Sequence, residues 1–182
     1  MFIKALPFIL SEEGGYVNDP ADSGGATNKG VTQTTYDSHR RSSGYDPRDV
    51  RFITNDEVSS IYEDYWKDSR SAELPAGLNL MHFDFAVNAG IRRAALTLQK
   101  ILGVTQDAVI GPKTLAAAEE KNDESLISAY ASERRAFYNG LAERRPKDKR
   151  FLRGWLLRTQ RCERRAIKIY REANPNSGPS TV

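Results

Sequence analysis

The sequence of 182 residues contains one cysteine, two histidines and no long apolar run. A single cysteine, Cys162, excludes an intramolecular disulfide and a cysteine metal cluster, and we expect it to be a small core residue. The histidines, His39 and His82, are isolated from each other and from carboxylate clusters, so we predict neither a metal site nor a cofactor. No stretch approaches the roughly 18–20 apolar residues that a membrane-spanning helix needs.

The composition that remains is that of a globular protein, with 39% apolar and 28% charged residues. Apolar residues recur along the whole chain, which excludes overall disorder. Charge is distributed unevenly: residues 1–122 carry 13 Lys/Arg and 17 Asp/Glu, whereas residues 123–182 carry 14 and 7. The basic end indicates either an anionic partner or a solvated, arginine-rich helix face.

Periodic apolar residues, caps and glycine or proline stops predict a mainly α-helical protein. Residues 16–31, rich in Gly, Asn, Asp and Pro, interrupt the pattern and predict a loop with a short hairpin. The first ten residues read as a helix rather than a secretion leader, so we expect another factor to export or release the protein. Helices are predicted at 2–13, 32–41, 54–66, 78–89, 91–102, 112–121, 123–145 and 150–172, followed by a tail at 174–182.

The segment from Glu13 to Thr32, EGGYVNDPADSGGATNKGVT, combines a carboxylate at a helix end with a glycine-rich turn region. Such a carboxylic acid can protonate the leaving oxygen in glycoside hydrolysis, while a second polar group stabilises the transition state or orients water. The alternative is purely structural. In that case Glu13 is a solvated helix-end residue, and Asp19 and Asp22 form turns.

The same segment resembles the N-terminal motif of glycoside hydrolase family 108, a group of phage and prophage N-acetylmuramidases also labelled secretion activator proteins. The run FDFAVNAGIRRAALTLQKILGVTQDAVIGPKTLAA at 83–117 resembles the predicted peptidoglycan domain that follows in that family. The resemblance implies a lysozyme-like helical fold. It also implies a catalytic region at 1–90 and a helical peptidoglycan-domain-like region at 91–173 packed on it as one globular unit.

The resemblance implies that Glu13 is the general acid for hydrolysis of the β-1,4 bond between N-acetylmuramic acid and N-acetylglucosamine. Asp22 is the residue we expect to stabilise charge or activate water, with Asp19 as the second choice. Thr27, or Thr32 in its place, is expected to hold the water, because the Glu, Asp and Thr spacing is similar to that of phage-type lysozymes.

Two further residues are predicted to contact the substrate. Tyr16 offers an aromatic face for a sugar ring, with a core position as its alternative. Asn88 is expected to hydrogen-bond an N-acetyl group, with a helix C-terminal cap as its alternative. Asp84 lies in an apolar helix, so it must be paired if it is buried, or it is a second carboxylate of the cleft.

These residues predict an endolysin that waits in the host cytoplasm for a holin-type partner and then acts as a monomer on the cell wall. A bacterial secreted muramidase, or a secretion-assembly factor, is the alternative biological role. A lytic transglycosylase is the chemical alternative. A basic nucleic-acid-binding module is the non-enzymatic one, although no nucleic-acid motif supports it. The arginines of the last helix are predicted to steer the enzyme to an anionic surface; they are Arg153, Arg158, Arg161, Arg164 and Arg165.

Overall fold

The computed structural model describes residues 1–18 and 25–175. Within them the chain is mainly α-helical, with one short hairpin, as predicted. The helices are α1 (Phe2–Glu12), α2 (Gln33–Ser42), α3 (Asn55–Asp68), α4 (Leu78–Ala89), α5 (Ile91–Leu102), α6 (Pro112–Glu120), α7 (Glu124–Arg144) and α8 (Lys149–Ala173), and the strands are β1 (Thr27–Asn28) and β2 (Val31–Thr32). No helix among these residues is long and apolar enough to cross a bilayer.

Local sequence signals explain most helix ends. Thr54 and Glu57 form the predicted capping box at the start of α3: the Glu57 amide donates to Thr54 Oγ1 at 3.2 Å, and the Thr54 amide donates to Glu57 Oε2 at 2.9 Å. The Asp123 carboxylate caps α7 by accepting from the Leu126 amide at 2.8 Å. Gly103 ends α5 in the left-handed conformation that glycine tolerates best.

Backbone packing divides the chain into two compact units, Met1–Trp66 and Lys67–Val182. The first unit contains α1, the hairpin, α2 and almost all of α3. Its buried side chains include Ile9 of α1, Tyr36 of α2 and Trp66 of α3. The Phe2 ring lies 6.0 Å from the Trp66 ring, so the two ends of this unit's helical framework pack together.

The second unit is built around α4, whose residues from Leu78 to Ala86 are all buried. The helix is apolar on every side, as expected for a helix at the centre of a bundle. It packs against α5, α7 and α8. Cys162 of α8 is buried, which confirms its prediction as a core residue.

Asp84 of α4 is fully buried and paired, as its burial requires. Its Oδ2 lies 2.6 Å from Arg134 Nη1 of α7, and its Oδ1 lies 2.8 Å from Arg158 Nη2 of α8. Burial raises the pKa of this carboxyl, but the charges of Arg134 and Arg158 outweigh it and hold the pKa below its usual value. The prediction that Arg158 faces an anionic surface is therefore wrong, because its guanidinium neutralises a buried carboxylate.

His82, two residues before Asp84, is also fully buried in the second unit. Its Nε2 lies 3.0 Å from the Ser69 carbonyl oxygen, and its Nδ1 lies 3.2 Å from the Tyr130 hydroxyl. Burial lowers the pKa of this imidazole to about 4, because the charged form loses its hydration. The ring is therefore neutral in the folded protein at neutral pH.

This burial predicts a loss of stability in mild acid. The unfolded chain takes up a proton on His82 near pH 6.5, but the folded protein does so only near pH 4. The free energy of unfolding should therefore be fully retained above pH 6.5 and should fall by about 3 kcal/mol as the pH drops to 4. Urea unfolding at a series of pH values measures this fall.

The variant His82→Gln removes the titrating group, so its stability should decline less than that of the wild type across this window. The control His39→Gln keeps His82 and should retain the fall. Parallel pH profiles for the wild type and His82→Gln would contradict the assignment.

Candidate active site

Glu13 lies directly after α1, where the backbone turns from helical to extended. Its φ is −89° and its ψ is 142°, and its amide still donates to the Ile9 carbonyl at 3.1 Å. Gly14 and Gly15 follow, and a Cβ atom added to either glycine would meet no other atom within 4 Å. The carboxylate of Glu13 is therefore fixed at its base by the helix and is followed by a backbone that a chain-like ligand can approach closely.

The hairpin that follows the glycine-rich segment is a tight two-residue turn. Lys29 and Gly30 have positive φ values of 52° and 77°, which is the pattern of the turn that matches strand twist best. Thr27 pairs with Thr32, and Asn28 pairs with Val31. Val17 adds a third extended segment, because its amide and carbonyl both bond to Thr27 at 2.8 Å.

The hairpin turn packs directly against the side chain of Glu13. A Cβ atom on Gly30 would lie 2.8 Å from both Cγ and Cδ of Glu13 and would overlap the hydroxyl oxygen of Tyr62. Such distances do not occur between real atoms, so only glycine fits here, in space as well as in backbone conformation. The Glu13 carboxyl and the Tyr62 hydroxyl therefore meet at one point on the hairpin.

Hydrogen bonds to later parts of the chain hold the turn in this position. The buried Asn28 amide donates to the carbonyl oxygens of Val50 and Arg51, at 3.2 and 3.1 Å. The Tyr62 hydroxyl donates to the Lys29 carbonyl at 3.0 Å, and Lys29 Nζ donates to Asn55 Oδ1 at 2.6 Å. These hydrogen bonds fix the turn to the start and middle of α3 and to the segment before that helix.

A second fixed point of the same unit is the carboxylate of Glu57. It accepts from the Tyr36 hydroxyl at 2.9 Å, from Arg40 at 2.8 Å and from Arg48 at 2.6 Å, in addition to Thr54. Burial raises the pKa of Glu57, but the hydrogen bonds from Thr54, Tyr36 and Arg40 outweigh it and lower the pKa to about 2. This ionised carboxylate joins α2 to α3.

Tyr16 does not occupy the core. The guanidinium of Arg51 lies 4.6 Å from the centre of its ring, and Arg51 Nη2 donates to its hydroxyl at 3.1 Å. A ring with a guanidinium over one face presents only its other face to a ligand. Arg51 was not predicted, because nothing in the local sequence connects it to a tyrosine 35 residues earlier.

The two threonines have different roles in the hairpin. Thr27 is a strand residue that is half-buried between Val17 and Thr32. The side chain of Thr32 caps α2, accepting from the Thr35 amide at 3.2 Å. The Thr32 hydroxyl is therefore already used in capping α2, whereas the Thr27 hydroxyl caps no helix within residues 1–18 and 25–175. The predicted residues Asp19 and Asp22 lie outside the described residues.

Asn88 belongs to the second unit, at the end of α4. It does not cap the helix, because Gly90 with φ of +90° takes that position. The Asn88 side chain is exposed, and its Oδ1 accepts a short hydrogen bond from the Tyr138 hydroxyl. Its amide nitrogen is left as a donor toward solvent. Among residues 1–18 and 25–175, no group of three His, Cys, Asp or Glu side chains is placed to hold a metal ion.

Comparison with known proteins accounts for both parts of the chain. Residues 6–90 match the sequence model described as Glycosyl hydrolase 108, and residues 93–160 match the one described as Predicted Peptidoglycan domain. Among curated proteins, no sequence matches the chain.

A solved structure of SagA from Brucella abortus is similar over nearly the full length. It has 37% sequence identity and a TM-score of 0.81, and the match covers 95% of this chain and 97% of that one. The likeness bears out a mainly α, lysozyme-like fold. The match to the hydrolase model makes the protein a glycosidase, and the second match indicates peptidoglycan as its substrate. The chain therefore belongs to the glycosyl hydrolase 108 family and carries that family's peptidoglycan domain after the hydrolase region.

Proposed function

We propose that this glycosidase is an N-acetylmuramidase that hydrolyses the β-1,4 bond between N-acetylmuramic acid and N-acetylglucosamine, with Glu13 as its general acid. The observation that carries the proposal is the close packing of the Glu13 side chain against Gly30. Because the turn at Gly30 has no room for a side chain, it packs directly against the half-exposed Glu13 carboxyl group and gives that group one defined position at the surface.

Glu13 supplies the proton in this scheme. Its carboxyl group transfers the proton to the glycosidic oxygen as the bond to the anomeric carbon breaks. One side of the carboxyl is covered by the Gly30 backbone and the Tyr62 hydroxyl, while Gly14 and Gly15 leave room for a sugar chain. Because the acid is packed against the turn, less orientation needs to be achieved after the substrate binds.

The second catalytic group in our proposal is Asp22, which stabilises positive charge at the anomeric carbon or activates water, with Asp19 as the alternative. Thr27 is favoured over Thr32 for holding that water, because the Thr32 hydroxyl caps α2. Tyr16 contacts a sugar with the ring face that Arg51 leaves open. Asn88 offers its amide nitrogen to the carbonyl of an N-acetyl group.

For the biological role we propose an endolysin that acts in the cell wall as a monomer after a holin-type partner opens the host membrane. The alternative is a bacterial secreted muramidase or a secretion-assembly factor. Induction in a bacterial host separates the two. An endolysin lyses cells only when a pore-forming protein is expressed with it, whereas a secreted enzyme reaches the wall without one.

The first prediction concerns the acid. Purified peptidoglycan is digested by the wild type and by Glu13→Gln, and the products are identified by mass spectrometry. We expect the wild type to release muropeptides with a reducing N-acetylmuramic acid end and the variant to be slower by about 10²–10⁴-fold, because the amide cannot donate the acid proton. Glu12→Gln, one residue earlier on α1, is the matched control and should stay active.

The product distinguishes the enzymes. A lytic transglycosylase would give 1,6-anhydro ends, lighter by one water than the hydrolysis product. Reducing ends on N-acetylglucosamine would show cleavage of the other glycosidic bond. A folded Glu13→Gln variant with wild-type activity would remove Glu13 from the mechanism.

The second prediction concerns Gly30. Gly30→Ala must move the Glu13 carboxyl and the Tyr62 hydroxyl, and it also places alanine at a φ of +77°. We expect the free energy of unfolding to fall by about 2 kcal/mol, and the rate of peptidoglycan digestion to fall by at least tenfold because the acid is displaced.

Gly44→Ala is the matched control. Gly44 has nearly the same φ, +80°, but open space where its side chain would lie. This variant carries the same backbone strain without the overlap, so it should lose about 1 kcal/mol of stability and keep its activity. If both variants lose activity equally, the position of Gly30 against Glu13 does not matter for catalysis.

The third prediction concerns the exposed arginines of α8. We propose that they steer the enzyme to an anionic wall or membrane, so neutralising Arg153 and Arg164 together should slow lysis at low salt. At about 0.3 M salt the difference should disappear, because exposed charges are then screened beyond roughly 6 Å. Turbidity loss of outer-membrane-permeabilised cells measures both rates. Equal lysis rates at every salt concentration would mean that this helix face is only solvated.

A further inference from the structure

The second unit contains a surface cavity of about 520 Å³ whose lining residues all belong to that unit. It lies where the end of α4 and the start of α5 meet the end of α7 and the first turns of α8. Its principal lining residues are Asn88, Arg92, Arg93, Arg144, Arg145 and Trp155.

The lining of this cavity carries a positive charge. Arg92 and Arg93 come from α5, and Arg144 and Arg145 come from the end of α7. In the described part of the chain none of the four forms an ion pair with a carboxylate, and no Asp or Glu lines the cavity. Four like charges around one concave site repel each other, so an anion that enters it relieves that repulsion.

The neutral polar side chain of the cavity, Asn88, also offers hydrogen-bond donors to a ligand. Asn88 Oδ1 is already occupied by the Tyr138 hydroxyl, which leaves the two N–H groups of its amide as donors, one for the N-acetyl carbonyl proposed above and one for a ligand of the cavity. Guanidinium groups also only donate. The polar side chains of the cavity thus present donors, and the ligand that satisfies them must be rich in acceptors.

Aromatic rings form the apolar wall. The Trp155 ring stacks on Tyr138, with 5.1 Å between centres and 21° between planes. The Phe137 ring lies under the guanidinium of Arg93, with 5.0 Å between the guanidinium carbon and the ring centre. A guanidinium whose carbon lies over a ring contacts it through the cation–π attraction and keeps N–H groups for an acceptor such as a carboxylate.

We infer that this cavity binds the carboxylate groups of the peptidoglycan peptide stem, an inference that rests on the proposed action on peptidoglycan. The stem is a short chain that combines free carboxylates with small apolar side chains, and the cavity combines arginine forks with aromatic rings. Its volume is in the range of sites for ligands of a few residues. The cavity thereby favours wall strands whose stem carboxylates are free over strands in which they are amidated.

The binding test uses a stem peptide without sugar, so its result does not depend on Glu13. A soluble tetrapeptide with free carboxylates is titrated into the full-length protein, and the fluorescence of Trp155 reports binding. Trp66, the other tryptophan, is buried in the first unit and provides a constant background. We expect saturable binding, and an amidated tetrapeptide should bind at least tenfold more weakly.

Paired variants locate the site. Arg92→Gln with Arg93→Gln, and separately Arg144→Gln with Arg145→Gln, should each raise the Kd of the tetrapeptide at least tenfold. The control removes the same charge elsewhere on the second unit, with Lys113→Gln on α6 and Lys168→Gln on α8, two exposed lysines outside the cavity, and should leave the Kd unchanged. Replacing Arg92 and Arg93 by lysine keeps the charge in case the glutamine pair does not fold.

Several outcomes would overturn the inference: no saturable signal, equal affinity for the amidated peptide, or an equal loss in the control. Inorganic phosphate that binds more tightly than the tetrapeptide would assign the cavity to a phosphate polymer instead. Digestion completes the test, because the arginine variants should raise KM for peptidoglycan with free stem carboxylates while kcat is kept. If the Glu13→Gln digestion contradicted the role of Glu13 as the acid, the peptide-binding result would still stand. The two proposals therefore fail separately.

Discussion

The second unit depends on the burial of one carboxylate between two guanidinium groups. Asp84 ties α4 to Arg134 of α7 and to Arg158 of α8, and all three side chains are largely or completely removed from water. Removing either arginine would leave a buried charge with less compensation, which typically costs about 3–5 kcal/mol. Arg134 also lies over the rings of Phe85 and Tyr138, which replace part of the hydration that its guanidinium has lost.

The same ion cluster positions the cavity one helical turn away. Asn88 follows Asp84 by four residues on α4, and Tyr138 follows Arg134 by four on α7, so the ion pair and the Asn88–Tyr138 hydrogen bond are successive rungs between the same two helices. Trp155 precedes Arg158 by three residues on α8 and stacks on Tyr138. A polar arrangement that contributes little net stability thus fixes the register of the three helices that form the arginine-lined site.

The hydrolase region relies on a steric constraint instead. The Glu13 carboxyl has its position because Gly30 leaves room for it, and the Tyr62 hydroxyl closes the same space. Asn28 and Lys29 then hold the turn by hydrogen bonds to backbone and side chains more than twenty residues away. A glycine with positive φ and the hydrogen bonds around it therefore position the acid. None of these groups takes part in proton transfer.

Local signals in the sequence were sufficient for the helices. The predicted spans of α4 and α5 agree with the structure residue for residue. Gly90 and Gly103 end the two helices, and their buried positions show in the sequence as regularly spaced apolar residues. The capping box of Thr54 and Glu57 was also predictable, since its partners are three residues apart. The hairpin was placed in the correct segment because Lys29–Gly30 and the surrounding Asn and Gly residues are typical of turns.

Long-range partners could not be predicted in the same way. Burial requires that Asp84 be paired, but its partners Arg134 and Arg158 are 50 and 74 residues distant, and the sequence pattern of α8 wrongly predicts Arg158 as a surface charge. Glu57 was predicted as a cap, yet it also binds Arg40 and Arg48, which the capping pattern does not encode. The sequence does not distinguish Gly30 from the other glycines of its segment, because its contact with Glu13 depends on how the backbone folds.

The position of α4 shows why the hydrolase and peptidoglycan regions are not independent pieces. The hydrolase match ends at residue 90 and the peptidoglycan match begins at 93, but compact packing divides the chain at Trp66. Helix α4 therefore belongs to the hydrolase region by sequence and to the second unit by packing. Its buried residues, Leu78 to Ala86, are covered by α5, α7 and α8, which the peptidoglycan match spans. A chain ending at residue 90 would expose this apolar helix and leave Asp84 without either arginine, so the region that carries Glu13 requires the helices that follow it to complete its own last element.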